Sequence, residues 1–304
     1  YEESDLFPGK AFRVKTRFQG QVATTWLDDK GNPLFEMSMG GVFFSSLESE
    51  NMAKKFLTQA AINKNDVLLD FSLIRVDTPI LEPERVEFME VALAGIKVEL
   101  RMPEDEIQQC ERKGEEVFCK ISMQRLEGYK ETSAADPAEI EKYLQPSHVV
   151  PSRNDLIRKT ARKITTDAEI TLERLRLLVE WMQKNIEKKP IDVFTALDVL
   201  SGRKAECQGN SFLYAAFARS LDIPTRVVNG IVYSAGYQGF LYHTWAESLV
   251  NGRWVAVDPT FVQLPADATH IKLIEGERPS DLLPLVDLIG KLQVRIISVD
   301  GSRQ

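Results

Sequence analysis

The chain has 304 residues, 43% hydrophobic and 27% charged, a composition ordinary for a folded globular protein and a length sufficient for two domains. The formal net charge of -7, without a long run of lysine or arginine, argues against a nucleic-acid partner. No apolar stretch approaches the ~18 residues of a membrane-spanning helix, so we expect no membrane span.

Residues 1–130 are strand-like, and we interpret them as a β-rich accessory or substrate-positioning domain. One segment, NMAKKFLTQAA at 51–61, predicts a helix instead. This part of the sequence has no metal-ligand spacing, phosphate loop or catalytic pairing. The segments that alternate or run apolar are AFRVKTRF (11–18), QVATTWLD (21–28), PLFEMSMGGVFF (33–44), DVLLDFSLIRVD (66–77), RVEFMEVALAGIKVEL (85–100) and EVFCKISMQRL (116–126).

Two of the three cysteines flank a predicted hairpin. If Gly114-Glu115 is a two-residue type II′ loop, Cys110 faces Cys119 in a non-hydrogen-bonded pair. The Cα atoms of such a pair are roughly 4.5–5.5 Å apart, which lies within disulfide range. In a slightly different register they would be two unrelated thiols. A disulfide implies an oxidising compartment, so we expect a periplasmic or secreted protein, and the pairing leaves Cys207 alone.

Residues 131–153 are polar and proline-containing, and we predict that they link the first domain to a second one at 154–304. Helical periodicity follows. RNDLIRKTARKIT (153–165) predicts one helix, and TLERLRLLVEWMQKNIEKK (171–189) predicts a longer one. The apolar face of the longer helix contains Leu175, Leu178, Val179, Met182 and Ile186. Thr195 to Asp198 resembles a capping box that opens a short helix.

Cys207 precedes a further predicted helix. Its apolar stripe consists of Leu213, Ala216, Phe217 and Leu221, and Pro224 prevents its continuation. Cys207 therefore falls at or just before the first turn, where unpaired backbone N–H groups and the helix dipole stabilise a thiolate. The thiolate is the reactive form of cysteine, so the position favours a nucleophile. The alternative is a small buried cysteine at the start of a helix.

A second hairpin supplies candidate partners for this cysteine. Asn251-Gly252 between two alternating apolar runs predicts a type I′ turn, which fixes the register of the strands. In that register Trp245 faces Asp258, and His243 shares the face of Trp245 because side chains alternate. Asp258 is then diagonal to His243, close enough for contact. An imidazole beside a carboxylate is the arrangement of a general base.

Each of these residues also has a structural interpretation. His243 could be a hydrogen-bonded core histidine, and Asp258, which precedes a proline, could initiate a turn. Trp245 could shield the ion pair, line the acyl site as a substrate-binding residue, or be a core aromatic. His148 lies in the linker and His270 in a polar stretch past the hairpin, so we assign neither a catalytic role.

The segments CQGNSFLYAAFARSLDIPTRVVNGIVY (207–233), HTWAES (243–248) and GRWVAVDPT (252–260) resemble the core of the transglutaminase-like superfamily of bacterial type, a match that covers about residues 147–262. The resemblance implies a papain-like α+β fold in which a helix bearing the cysteine packs on an antiparallel sheet. It implies Cys207 as nucleophile, His243 as base and Asp258 as orienter. The family often has glycine where Ala205 stands and an acidic residue where Gly209 stands.

We therefore predict an enzyme that cleaves protein or peptide amide bonds through an acyl-enzyme, a cysteine peptidase or amidase without metal or cofactor. One oxyanion donor would be the backbone N–H of Cys207. Two alternatives remain open, a protein-glutamine gamma-glutamyltransferase and a non-catalytic interaction module on the same fold. Hydrolysis is preferred because the sequence shows no calcium loop or lysine-acceptor tunnel.

Overall fold

A computed structural model describes residues 1–4, 7–18, 21–38, 43–47, 49–50, 72–126, 137–189, 195–286 and 288–300. The helix predicted at 51–61 lies outside these residues, as does the first part of the strand predicted at 66–77. The fold is α+β, with helices packed on an antiparallel sheet and a β-rich N-terminal region, as the sequence predicts.

The N-terminal region begins with a five-stranded antiparallel meander. A small apolar core forms on it around Trp26 and Phe35, whose rings are 5.5 Å apart. A turn at DDKGN (28–32) joins two strands of this meander, and Asp28 stabilises it by accepting hydrogen bonds from the backbone N–H groups of Lys30 and Asn32. The strands are β1 (Glu2–Ser4), β2 (Phe7–Phe18), β3 (Gln21–Leu27), β4 (Pro33–Ser38) and β5 (Phe43–Ser46).

A second antiparallel sheet contains the predicted cysteine hairpin. Its order is β16-β7-β9-β8. Gly114 has the positive φ of +64° that the first position of a type II′ turn requires. The resulting register places Cys110 opposite Cys119, and a disulfide joins them with a Cα–Cα distance of 4.1 Å. The strands are β7 (Phe88–Ala94), β8 (Gln108–Lys113), β9 (Glu116–Ser122) and β16 (Gln293–Asp300); the two-residue β6 (Ile74–Arg75) belongs to the central sheet described below.

In the described part of the chain before the main strands of the central sheet lie five helices and a short parallel strand pair. The helices are α1 (Pro137–Leu144), α2 (Asp155–Ile164), α3 (Thr171–Asn185), α4 (Ala196–Gly202) and α5 (Cys207–Ser220), and the strands are β10 (Glu187–Lys188) and β11 (Lys204–Ala205). The side chain of Asn154 caps α2, and Thr195 with Asp198 forms the predicted capping box of α4. The predicted apolar face of α3 is buried.

The central sheet has the order β14-β13-β12-β15, and β6 adds to β13. Its strands are β12 (Thr225–Ser234), β13 (Gly239–Val250), β14 (Arg253–Val257) and β15 (Ile271–Glu275). One apolar core joins this sheet to the helices, and a second joins it to β7, β8 and β9. Helix α5 is buried all round rather than along one stripe, because the sheet covers one side and α2, α3 and α4 cover the other.

Strand pairing crosses the predicted division at 131–153. Strand β16, from the predicted second domain, pairs with β7 of the first, and β6 pairs with β13. The predicted linker also contains helix α1, where Tyr143 packs edge-on against Trp254. Short helical turns at Pro83–Arg85, Pro279–Leu282 and α6 (Leu283–Val286) complete the described elements. Among the described residues, no helix has the length and apolar character needed to cross a bilayer.

Candidate active site

Cys207 is the first residue of α5, preceded by an extended Glu206. Strand β11 pairs with β10 and ends two residues before Cys207, so Cys207 lies at a strand-to-helix turn. The Ser211 hydroxyl lies 2.9 Å from the carbonyl oxygen of Cys207 and 2.9 Å from that of Thr244. It therefore ties the first turn of α5 to the strand residue beside His243.

The hairpin register predicted from Asn251-Gly252 is confirmed. Val250 pairs with Arg253, both turn residues have positive φ, and the pairing continues to Ala246 and Val257. Asp258 follows directly, and its Oδ2 atom lies 2.7 Å from Nε2 of His243. A carboxylate only accepts, so Nε2 donates and Nδ1 is the nitrogen left for Cys207. The structure thus brings Asp258 and His243 together as the sequence predicts.

Asp258 is fully buried, and its carboxylate contacts four hydrogen-bond donors. Its Oδ1 atom accepts hydrogen bonds from the backbone N–H groups of Thr260 at 2.7 Å and Phe261 at 3.0 Å. Its Oδ2 atom lies near His243 and also 3.1 Å from Nε2 of His270. Burial raises the pKa of Asp258, but the charges and hydrogen bonds of the two histidines outweigh it, and the pKa lies well below the ordinary value. Asp258 is therefore an anion at neutral pH.

The same balance acts on His243. Burial lowers its pKa, but the charge and hydrogen bond of Asp258, together with a hydrogen bond and the charge of Cys207, raise the pKa to about 10. The imidazole is therefore protonated at neutral pH. A protonated His243 can donate a proton to a leaving group.

Two aromatic rings enclose the imidazole of His243. Trp245 is 1% exposed and lies parallel to His243 at 6.3 Å, which favours a packing role over contact with substrate. Phe261 stacks on His243 at 4.8 Å and is 42% exposed, so it is the aromatic ring of the site that a substrate can reach. Gly230 faces His243 in the register, and a Cβ there would lie 2.0 Å from the carbonyl oxygen of Ile271.

His270 is the residue that the sequence interpretation missed. It lies directly before β15, is 4% exposed, and contacts Asp258 with one nitrogen and Asp267 with the other. Burial lowers its pKa, but hydrogen bonds to these two carboxylates raise the pKa to about 9. The loop between Asp258 and β15 has no periodicity that predicts this return, and the nearest signal is the i, i+3 spacing of Asp267 and His270.

A buried ion cluster lies further along β13. Glu247, which has no exposed surface, accepts a hydrogen bond from Nε of Arg226 at 2.7 Å and lies 3.1 Å from Nζ of Lys272. The guanidinium also contacts Asp105 at 2.9 Å and Glu275 at 2.8 Å, and Lys272 forms an ion pair with Asp105. These contacts join three strands of the central sheet to the segment before β8 and fix the strand that bears His243.

Among the described residues, the group that could hold a metal is His243, Asp258 and His270, whose ligand atoms lie within 4.8 Å of one another. The carboxylate oxygen in this group already accepts from both imidazoles, so we interpret the group as a hydrogen-bonded network. The prediction that the site needs no metal or cofactor stays a prediction.

In the comparison with known families, residues 158–259 match the transglutaminase-like superfamily. Among curated proteins, kyphoscoliosis peptidase of Mus musculus is 29% identical over 119 residues, which cover 35% of this chain and 18% of that protein. The Homo sapiens protein is 29% identical over 108 residues, covering 31% of this chain and 16% of that protein. The chain thus covers less than a fifth of these relatives.

The solved structures that match at low identity include the following two. A candidate cysteine protease from Cytophaga hutchinsonii is 17% identical with a TM-score of 0.46, and the alignment covers 69% of this chain and 82% of that one. The periplasmic domain of TgpA from Pseudomonas aeruginosa is 16% identical with a TM-score of 0.40, covering 62% and 87%.

Proposed function

The chain carries a domain of the transglutaminase-like superfamily at residues 158–259, and from this premise we propose that it is a cysteine peptidase or amidase that cleaves protein or peptide amide bonds. The observation that carries the proposal is the buried contact of 2.7 Å between His243 and Asp258, beside the cysteine that begins α5 and contributes to the raised pKa of His243. This arrangement supports Cys207 as nucleophile, His243 as general base and Asp258 as the residue that orients the imidazole, the three roles that thiol acyl transfer requires.

In the proposed reaction the Cys207 thiolate attacks the carbonyl carbon of an amide, and the carbonyl electron pair moves to oxygen. The donor that we propose for that oxyanion is the backbone N–H of Cys207, because the first N–H groups of a helix have no partner within the helix. When the intermediate collapses, the C–N bond breaks and the Nδ1 proton of His243 goes to the leaving nitrogen. A thioester remains on Cys207, with a neutral imidazole beside it.

The second half-reaction resolves the thioester. His243 takes a proton from an incoming water, whose oxygen bonds to the acyl carbon, and the S–C bond breaks to restore the thiolate and the imidazolium. An amine in place of water would give transamidation. Asp258 stays ionised throughout, because its role is to hold the imidazole and stabilise its charge.

We propose that the substrate approaches over Phe261. This ring is the exposed wall beside His243, and Nζ of Lys188 lies 6.0 Å from its centre. Trp245 closes the buried side of the imidazole, where it excludes water from the ion pair. An aromatic surface with a cation above it suits an extended peptide with an apolar side chain and a nearby carboxylate or carbonyl oxygen.

We also propose that the protein works in an oxidising compartment, the periplasm or the exterior of the cell. The disulfide between Cys110 and Cys119 supports this, because such bonds persist mainly outside the reducing cytosol.

The test is incubation of the protein with unfolded casein and a fluorescent primary amine. We expect new amino termini from the wild type and none from Cys207→Ala, with little amine incorporated. If casein becomes fluorescent and no new amino termini form, the reaction is gamma-glutamyl transfer rather than hydrolysis. Casein unchanged by either reaction, with Cys207 no more reactive than an isolated thiol, would favour the non-catalytic interaction module.

A further inference from the structure

His270 is bracketed by two carboxylates. Its Nδ1 atom lies 3.1 Å from the carbonyl oxygen of Asp267 and 3.2 Å from Oδ1 of the same residue, while Nε2 lies 3.1 Å from Oδ2 of Asp258. All three oxygens are acceptors at neutral pH, so each ring nitrogen must donate a proton. Hydrogen-bond satisfaction alone therefore makes His270 an imidazolium.

We propose that His270 is a positioning residue of the acyl-transfer site, a buried cation that holds the Asp258 carboxylate in the orientation that His243 needs. The inference rests on the proposed function, because it acts through the orienter assigned there. It extends the triad by a chain of hydrogen bonds that runs from His243, beside Cys207, through Asp258 and His270 to Asp267.

The first consequence concerns geometry. The terminal torsion of an aspartate is soft, so a carboxylate held by one partner can rotate. Here Thr260 and Phe261 fix Oδ1 through their backbone N–H groups, and the Nε2 donor of His270 fixes Oδ2 independently of His243. Asp258 therefore keeps its orientation when His243 gives up its proton during turnover.

The second consequence concerns charge. The centres of the His243 and His270 rings are 5.9 Å apart, so the second cation makes protonation of His243 less favourable than Asp258 alone would make it. The titratable groups that face His270 are Asp267 from its own loop, Asp258 from the end of β14 and His243 from β13. Lys272, two residues further on, contacts Asp105 and Glu247 instead. A weaker hold on its proton lets His243 act as acid and base nearer neutral pH.

Two amide substitutions separate these effects in the full chain. In His270→Gln the side-chain amide reaches the place of Nε2 and keeps a donor to Asp258. In His270→Asn the amide reaches only the place of Nδ1 and loses that donor. Both remove the charge. The exposed third histidine supplies a matched control, His148→Asn.

The readout is the rate of Cys207 alkylation by iodoacetate between pH 5 and 11, followed by mass spectrometry. Iodoacetate is an anion, so its rate falls when the His243 imidazolium is lost and defines an alkaline limb. We expect His270→Asn to slow alkylation at pH 7 about ten-fold, equivalent to about 1.4 kcal/mol, and His270→Gln to retain most of the rate. His270 loses its proton near pH 9, below the alkaline limb that His243 sets near pH 10, so that limb should keep its place in both variants, and the rate at pH 7 is the quantity that separates them.

A rate at pH 7 that His270→Asn leaves unchanged would overturn the inference, since a purely structural histidine lowers stability without slowing alkylation. Equal slowing in Gln and Asn, or a full additional loss from His270→Asn in an Asp258→Asn background, would also overturn it. Should neither variant fold, ¹⁵N NMR of the wild type decides: two protonated nitrogens on His270 at pH 7.5 support the inference, and a neutral ring refutes it. Neither the alkylation rate nor the NMR measurement needs a substrate. If the alkylation rate of the wild type has a bell-shaped pH profile but the protein cleaves no amide bond, the proposed function is overturned and this inference is not.

Discussion

Replacing Asp258 with asparagine removes one negative charge from a fully buried position with almost no change in volume. If the amide oxygen keeps the two backbone donors on Oδ1, the amide N–H₂ must face the Nε2 atoms of His243 and His270, where the wild type has an acceptor. His243 can then accept at Nε2 only in its other tautomer, with the proton on Nδ1. That tautomer cannot take the proton of Cys207.

The magnitude follows from the balance on His243. Asp258 is the main contribution that raises its pKa to about 10, and without it burial dominates, so the pKa should fall below the ordinary value of 6.5. At 1.36 kcal/mol per pH unit, the lost stabilisation of the imidazolium is on the order of 5 kcal/mol. The wrong tautomer alone costs serine proteases about 10⁴ in turnover, and we expect acylation of Cys207 to fall by roughly 10³ to 10⁴.

The assay is NMR of the histidine rings, which resolves every imidazole because the chain has only three histidines. The wild-type His243 signal should titrate near pH 10, and the Asp258→Asn signal below pH 6.5. Asp222→Asn is the matched control, an exposed aspartate in a left-handed conformation that asparagine tolerates. A His243 titration that stays near pH 10 in Asp258→Asn would refute the assignment of Asp258 as the partner that sets the charge.

Three further predictions concern stability. Replacing Cys110 and Cys119 with serine should cost about 2.5 kcal/mol, the closure entropy of a loop of about ten residues, and reductant should lower the melting temperature of the wild type but not of the double variant. Glu247→Gln breaks a buried ion pair and should cost about 3 kcal/mol, or roughly 6–12 °C in melting temperature. The exposed control Glu169→Gln should cost nothing measurable. Equal melting temperatures of the two variants would contradict a stabilising role of the buried ion cluster. The raised pKa of His270 stabilises the fold, and this stabilisation is complete below pH 6.5. Roughly 3 kcal/mol of the free energy of unfolding should be lost as pH rises through about 9. Urea unfolding at several pH values should show this loss in the wild type and not in His270→Gln.

The features that could be predicted from the sequence depend on local turn chemistry. Asn251-Gly252 fixes the register of β13 and β14, and this register carries Asp258 to His243. Gly114 fixes the cysteine hairpin in the same way. The place of Cys207 follows from the apolar run behind it and from Pro224, which bars continuation of α5. In each case a few adjacent residues contain the information.

The features that could not be predicted depend on contacts between distant segments. His270 reaches Asp258 through a loop whose path is set by pairing of Asp258 with Gln263 and by the Asp267 side chain, and neither leaves a periodic signal. Strand β16 pairs with β7 from the far end of the chain. Arg226 and Lys272 have the pattern of solvated strand residues, yet both are buried because their counterions come from other strands and from the segment before β8.

The central claim is that Cys207 forms an acyl-enzyme with the help of His243, and p-nitrophenyl acetate tests it without knowledge of the natural substrate. Stopped-flow absorbance should show a burst of about one p-nitrophenol per protein at pH 7, and mass spectrometry should locate the acetyl group on Cys207. Cys207→Ala should show no burst, and His243→Ala a burst slower by about 10³. A burst of unchanged rate in His243→Ala, or acetyl groups spread over lysines with none on Cys207, would contradict the account.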